Sequence, residues 1–262
     1  MTRARLLPGL ILVLASLLGV WAFLSPFLGE PSQGVAEMGM AHANDAPFIF
    51  IVLLGLCLLV IIANLETRRA NAHLIAVLGM LVGINATLRL IPSTAGFSAV
   101  FFLPILCGYV FGASFGFLLG ALSLLLSALI TSGLGPWLPF QMFAAGWTGM
   151  VAGWLPRVPR HPRVQVGLLC LWGWVSGFLF GAVMNLWFWP YLMDTGVADG
   201  TWQPGTGLVT TLWRYAVFYV ATSLWWDAAR AIGNVFFLLL VGAPILRLLR
   251  RFRERFQFTV LE

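Results

Sequence analysis

Three arginines fall where a charge is costly. All fifteen basic residues are arginine, since the chain has no lysine, and most can share one side of a membrane, but Arg89, Arg214 and Arg230 lie in or beside long apolar runs. A charged side chain at membrane depth costs at least a few kcal/mol unless it is paired or faces a polar cavity, so these three are functional candidates. Asp227 precedes Arg230 by three positions and Asn234 follows it by four, which puts all three on one helical face. Asn85 stands in the same relation to Arg89, and Gln141 and Asn185 add polar groups near the ends of their own apolar segments. Such groups can hydrogen-bond and pair with a ligand, and covalent chemistry is not expected of them. Without lysine there is neither a Schiff-base amine nor the phosphate-loop lysine of an ATPase. Cys57, Cys107 and Cys170 sit in apolar runs without C-x-x-C spacing, and His42, His73 and His161 fall in or beside loops without paired-ligand spacing. Neither a metal nor a cofactor is implied.

Two readings of these polar groups stand side by side. In one, Asp227 and Arg230 form an ion pair that fixes the last helix in a bundle. In the other, Arg89, Gln141, Asn185, Asp227 and Arg230 line one outward-facing polar pocket, extended by Asn234. Aromatic residues crowd the same side, among them Trp137, Tyr219 and Trp226. Most belong to an interfacial belt, and a minority could stack on a planar or bulky ligand.

The elements that must position these groups are helices in lipid. With 60% hydrophobic and 9% charged residues the chain is far from the composition of a soluble domain. Apolar stretches long enough to cross as helices recur from Leu6 to Leu28, Phe48 to Ile62, Leu74 to Ile91, Phe97 to Val110, Ser114 to Thr131, Gln141 to Leu155 and Val166 to Trp189. The first follows Arg3 and Arg5 as a signal peptide would, but its length and the lack of a clean small-x-small cleavage site favour a membrane helix. Arginines prefer cytoplasmic loops. Arg3, Arg5, Arg68, Arg69, Arg157, Arg160, Arg163, Arg247, Arg250, Arg251, Arg253 and Arg255 can all be placed inside, with Glu30, Glu37, Asp45, Asp194 and Asp199 in the opposite loops. Parity then allows the region Leu208 to Leu249 a single crossing, from about Trp225. The segment Leu208 to Leu224 is left lying in, or re-entering, the outer leaflet. The expectation is an all-α integral membrane protein of about eight transmembrane helices, with both termini cytoplasmic. Small residues recur at helical spacing as Gly112, Gly116 and Gly120, as Gly149 and Gly153, and as Gly173, Gly177 and Gly181, which suits close helix packing in lipid.

The stretch from Gly108 to Pro156 contains a turn with Gly133, Gly135, Pro136, Trp137, Pro139, Gln141 and Met142, and it resembles the substrate-binding S component of energy-coupling factor (ECF) transporters. The closing segment, Thr222 to Phe252, looks like the last helix of that family. The likeness runs from about Ala70 to the C-terminus, most of all to the branch associated with cobalamin or related corrinoids. It implies a six-helix substrate-binding core at 67–262, preceded by two additional helices within 1–66. It further implies capture of a vitamin-like molecule outside the cell, then toppling of the subunit in the membrane to release it inward. The external Pro136 to Pro139 turn and Tyr191 to Gly207 loop would be distorted during release. The implied partners are a transmembrane coupling subunit, docked through an Ala-x-x-x-Ala motif matched by Ala72 and Ala76, and two cytoplasmic ATPases. Nucleic acid is not among them. A stand-alone secondary transporter, a membrane enzyme and a non-transporting assembly subunit are the competing classes. The first would show inverted repeats, which are not visible here. The second would need a nucleophile with a base, and Asp227 is the lone buried acid in the sequence pattern.

Overall fold

A computed structural model describes residues 7–28, 41–66, 72–90, 96–157, 162–192 and 199–256. Among them are nine α-helices: α1 (Leu7–Leu28), α2 (Ala46–Glu66), α3 (Ala72–Leu90), α4 (Phe102–Phe111), α5 (Ala113–Thr131), α6 (Leu138–Ala152), α7 (Pro162–Phe188), α8 (Leu208–Thr222) and α9 (Leu224–Phe256), with a 3-10 turn at Trp189–Tyr191 after α7. The described residues contain no strand. Six helical stretches are long and apolar enough to cross a membrane: Leu7–Leu28, Ala46–Leu65, His73–Leu90, Ala113–Thr131, Arg163–Tyr191 and Leu224–Glu254. Helix α4, with 10 residues, is shorter than the segment expected there, and α6, with 15, begins three residues before the expected Gln141 and ends three before Leu155.

Local chemistry sets these boundaries. Gly112 separates α4 from α5 with φ 106, a conformation glycine adopts at little cost. It is therefore a turn and not a packing position, unlike Gly116 and Gly120 from the same row. Ser132 closes α5 in the left-handed region, and the Gly133 N–H bonds back to the Ala128 carbonyl. Leu138 and Pro139 open α6, where a proline's missing N–H is no loss. The last helix runs on to Phe256, beyond the expected end at Leu249.

Close backbone contact holds two sets of helices together. A Cβ on Gly116 would strike the Gly149 carbonyl, one on Gly120 would strike that of Ala145, and one on Gly153 would strike Ala113, so α5 and α6 meet main chain to main chain. A Cβ on Gly108 of α4 would also meet Gly149. On the other side, Gly173, Gly177 and Gly181 of α7 face Leu238 with Asn234, Ala231 and Asp227 of α9 in turn. In lipid, where packing drives helix association, such rows of small residues act as seams. Helix α1 packs on α6: Gly19 lies against Phe143 and Trp147, and the Trp147 Nε1–H donates to Ser16 Oγ at 3.1 Å.

The two ends of the bundle differ in charge. Arg253 donates to the Val110 carbonyl at 2.9 Å, Arg157 to that of Tyr109 at 3.4 Å, and Arg250 to Gln165 at 2.5 Å. These contacts gather the C-terminal ends of α4, α6 and α9 with the start of α7 at one arginine-bearing end. Arg3, Arg5, Arg68, Arg69 and Arg160, the acids Glu30, Glu37 and Asp194, and the Arg255 side chain lie outside the described residues. At the opposite end α8 is a helix of its own, broken from α9 at Ser223. Phe218 is its one buried residue; three of its side chains reach the region where α7 ends and α9 begins, and a fourth bonds to the segment that precedes α8. Arg214 donates to the Thr201 carbonyl at 2.9 Å, Tyr215 to that of Ala182, and Tyr219 to Asp227 Oδ2 at 2.8 Å, while Phe218 stacks on Trp189.

Candidate functional site

The polar residues picked out in the sequence lie at the end away from the arginine cluster, and hydrogen bonds sort them into two groups. The first joins α3, α5 and α6. Arg89, in the last turn of α3, donates through Nη1 to Ser127 Oγ at 2.7 Å and through Nη2 to Gln141 Oε1 at 3.1 Å. Both partners are neutral. One turn further in along α3, Asn85 is fully buried, and among the described residues neither its Nδ2 nor its Oδ1 has a partner. A buried amide with empty donors and acceptors costs about 1 to 3 kcal/mol, so the arrangement needs a reason beyond packing.

The second group lies along the seam of α7 with α9. The Asp227 carboxylate is buried against Gly181, is bridged by Arg230 and accepts from the Tyr219 hydroxyl. Arg230 also donates to the Gly177 carbonyl at 3.2 Å, and its guanidinium lies 5.0 Å from the centre of the Phe180 ring. Both charges are thus compensated within the protein. Deeper in the seam, Asn234 Nδ2 donates to the Gly173 carbonyl at 2.8 Å, while its Oδ1 has no partner among the described residues. Toward the mouth, Asn185 exchanges hydrogen bonds with Ser223 at 2.7 and 3.0 Å.

Aromatic rings stand between the two groups. Trp137, in the turn before α6, meets Trp187 of α7 edge to face with centroids 6.3 Å apart, and Phe140 meets the same indole at 6.4 Å. Trp187 is buried, and its Nε1–H has no partner among the described residues. Trp226, also expected at the site, is 51% exposed on the outside of α9. Ala76 is exposed near the start of α3; the side chain of Ala72 lies outside the described residues.

Sequence reasoning missed several members of this end. Ser127 and Ser223 are hydroxyls in apolar or mixed segments that no spacing rule singles out. His42, read only as a loop histidine, and Asp45, read only as an external acid, stand three positions apart in the turn before α2, and the insertion of the His42 ring into the core was not visible. The His42 side chain is buried and bonds through Nδ1 to Asp45 Oδ2 at 2.7 Å.

Helices of membrane-crossing length, an arginine-bearing end and glycine seams between helices define a polytopic helical membrane protein. Residues 73–242 match the family described as ECF transporter, substrate-specific component. The chain belongs to that family. Its members are transport-binding subunits and work with other ECF subunits on a small-molecule substrate. No curated protein and no solved structure matches the chain.

Proposed function

We propose that the end of the bundle holding Asn85, Arg89 and Gln141 faces outward and captures a vitamin-like molecule, with cobalamin or a related corrinoid as the leading candidate. The carrying observation is Asn85, fully buried with an unpaired amide, one turn from an arginine whose described partners are all neutral. An amide and a guanidinium on one helix suit a molecule that presents amide and anionic groups, and a corrinoid carries both. The choice of corrinoid rests on the likeness of the Gly133 to Met142 turn and the last helix to that branch; another vitamin or a queuosine-type precursor is the runner-up. The collection of Arg157, Arg250 and Arg253 at the far end supports a cytoplasmic placement for that end, and with it cytoplasmic termini. Uptake is then driven by two ATPases through a coupling subunit docked at Ala72 and Ala76.

The deciding experiment is purification from cells grown in rich medium, followed by mass spectrometry of any retained molecule. A red preparation with corrin absorbance is the expected result, and a retained molecule of another class discards the corrinoid. Docking is tested separately: Ala76→Trp should abolish co-purification with the coupling subunit and leave substrate binding intact, and unchanged co-purification would count against that contact.

A further inference from the structure

His42 belongs to neither polar group and precedes the segment that defines the family. It sits in the turn at 41–45 that leads into α2, yet its ring is buried among residues of α6 and the end of α7, with centroids 4.5 Å from Phe140, 5.1 Å from Tyr191 and 6.3 Å from Trp187. Its backbone is held at φ 59, in the left-handed region that residues with a Cβ adopt sparingly. Strain of this kind persists where surrounding contacts fix it, and it concentrates at functional sites. The His42 carbonyl accepts the Ala46 N–H as α2 begins, so the strained turn is tied directly to the helix behind it.

The hydrogen bonding of the ring is half complete. In the neutral imidazole, the Asp45 carboxylate 2.7 Å from Nδ1 favours the proton on that nitrogen, which leaves Nε2 with a lone pair. That Nε2 is buried and has no partner among the described residues. The neighbouring indole of Trp187, whose plane is 24° from that of the imidazole, carries a buried Nε1–H that is likewise without a partner. One acceptor and one donor are therefore carried on neighbouring rings with centroids 6.3 Å apart, both atoms shielded from solvent, in a box walled by aromatic rings. Neither is explained by the packing of the bundle, because a phenylalanine at either place would fill similar space without an unpaired polar atom.

We propose that the turn at 41–45 before α2 forms a wall of the binding site, where His42 Nε2 and Trp187 Nε1 together hold one neutral group that offers both a hydrogen and a lone pair, a primary amide or a hydroxyl of the captured molecule. Asp45 is then a positioning residue, which sets the imidazole tautomer. The N-terminal helix pair thereby gains a role in substrate recognition: it carries the turn, and α1 fixes it to the core through Phe23, whose ring lies 5.0 Å from that of Phe140.

The inference rests on the reading that the chain captures a small molecule at this end, and the test separates the two. Full-length wild type, Trp187→Phe and His42→Phe are purified in detergent, retained small molecules are quantified by mass spectrometry per mole of protein, and ligand-free protein is titrated with cyanocobalamin and melted. The expected result is about tenfold weaker binding and lower retention in each variant, the equivalent of one lost hydrogen bond to the bound group. The melting temperature of the ligand-free variants should be unchanged or raised, since a buried unpaired atom has been removed. A fall in melting temperature with binding unchanged assigns the pair to structure and overturns the proposal. Wild-type binding in Trp187→Phe means that the indole N–H meets a bound water only, which also overturns it. A wild-type protein that retains nothing and binds no cyanocobalamin overturns the capture reading, and this inference with it.

Discussion

Arg89 and Arg230 are the same residue type at the same end of the bundle, and their surroundings differ in the charge of their partners. Arg230 is matched by a buried carboxylate, a backbone carbonyl and the face of an aromatic ring, and Tyr219 completes the set on Asp227. Arg89 meets a hydroxyl and an amide oxygen, with a wholly unpaired asparagine one turn away. A buried charge whose partner comes from the protein is finished when the chain folds. One with neutral partners still has capacity to bind. The five residues expected to form one pocket fall into two hydrogen-bonded groups, and on the function proposed above the α7 and α9 seam serves stability while the α3, α5 and α6 corner serves recognition.

The strongest way to break this division is through Asp227. Asp227→Ala strips the counter-charge from Arg230 and should cost about 3 to 5 kcal/mol of stability, read as a large drop in melting temperature in detergent. Replacing both partners together, Asp227→Leu with Arg230→Met, should recover most of that loss, because no buried charge remains unpaired. A double variant as unstable as the single one would show that the pair does more than balance itself. Arg89→Gln and Gln141→Ala should act in the other direction, weakening substrate affinity by about 1 to 3 kcal/mol in binding titrations while the melting temperature changes little. If Arg89→Gln melts as early as Asp227→Ala, the two arginines are alike and the division fails. The smallest effect is expected for Tyr219→Phe, which removes one hydrogen bond to Asp227 and should lower stability by about 1 kcal/mol with affinity unaffected.

Much of this architecture was legible from the chain itself, because lipid imposes simple rules. Helix positions followed from apolar length, the glycine rows at 116 and 120 and at 173, 177 and 181 predicted where helices touch, and the odd placement of Arg89 and Arg230 marked the interesting end. The separate status of α8 also follows from charge parity. What the sequence did not disclose were meetings between segments distant in the chain. Helical spacing relates Asn85 to Arg89 and Asp227 to Arg230, since those pairs share a face, but it carries no information about Ser127 approaching Arg89 from α5 or Ser223 approaching Asn185. His42 was hidden for a further reason. A lone histidine in a polar loop has no periodic context, and only the neighbouring Asp45, three residues on and next to the start of a helix, hints that the turn is organised.

Gly149 raises a question of heredity. Its carbonyl oxygen occupies the space where a side chain on Gly108 or on Gly116 would begin, and a Cβ of its own would land on the Gly116 carbonyl. Three helices thus meet at main-chain atoms. At an ordinary contact, a mutation that enlarges one residue can be tolerated after its neighbour shrinks, and lineages wander along such paired changes. Here the neighbour is backbone, already as small as a residue can be, so no second substitution can make room. A substitution on a lipid-facing surface meets only lipid, but this junction can change only if the helices themselves move apart.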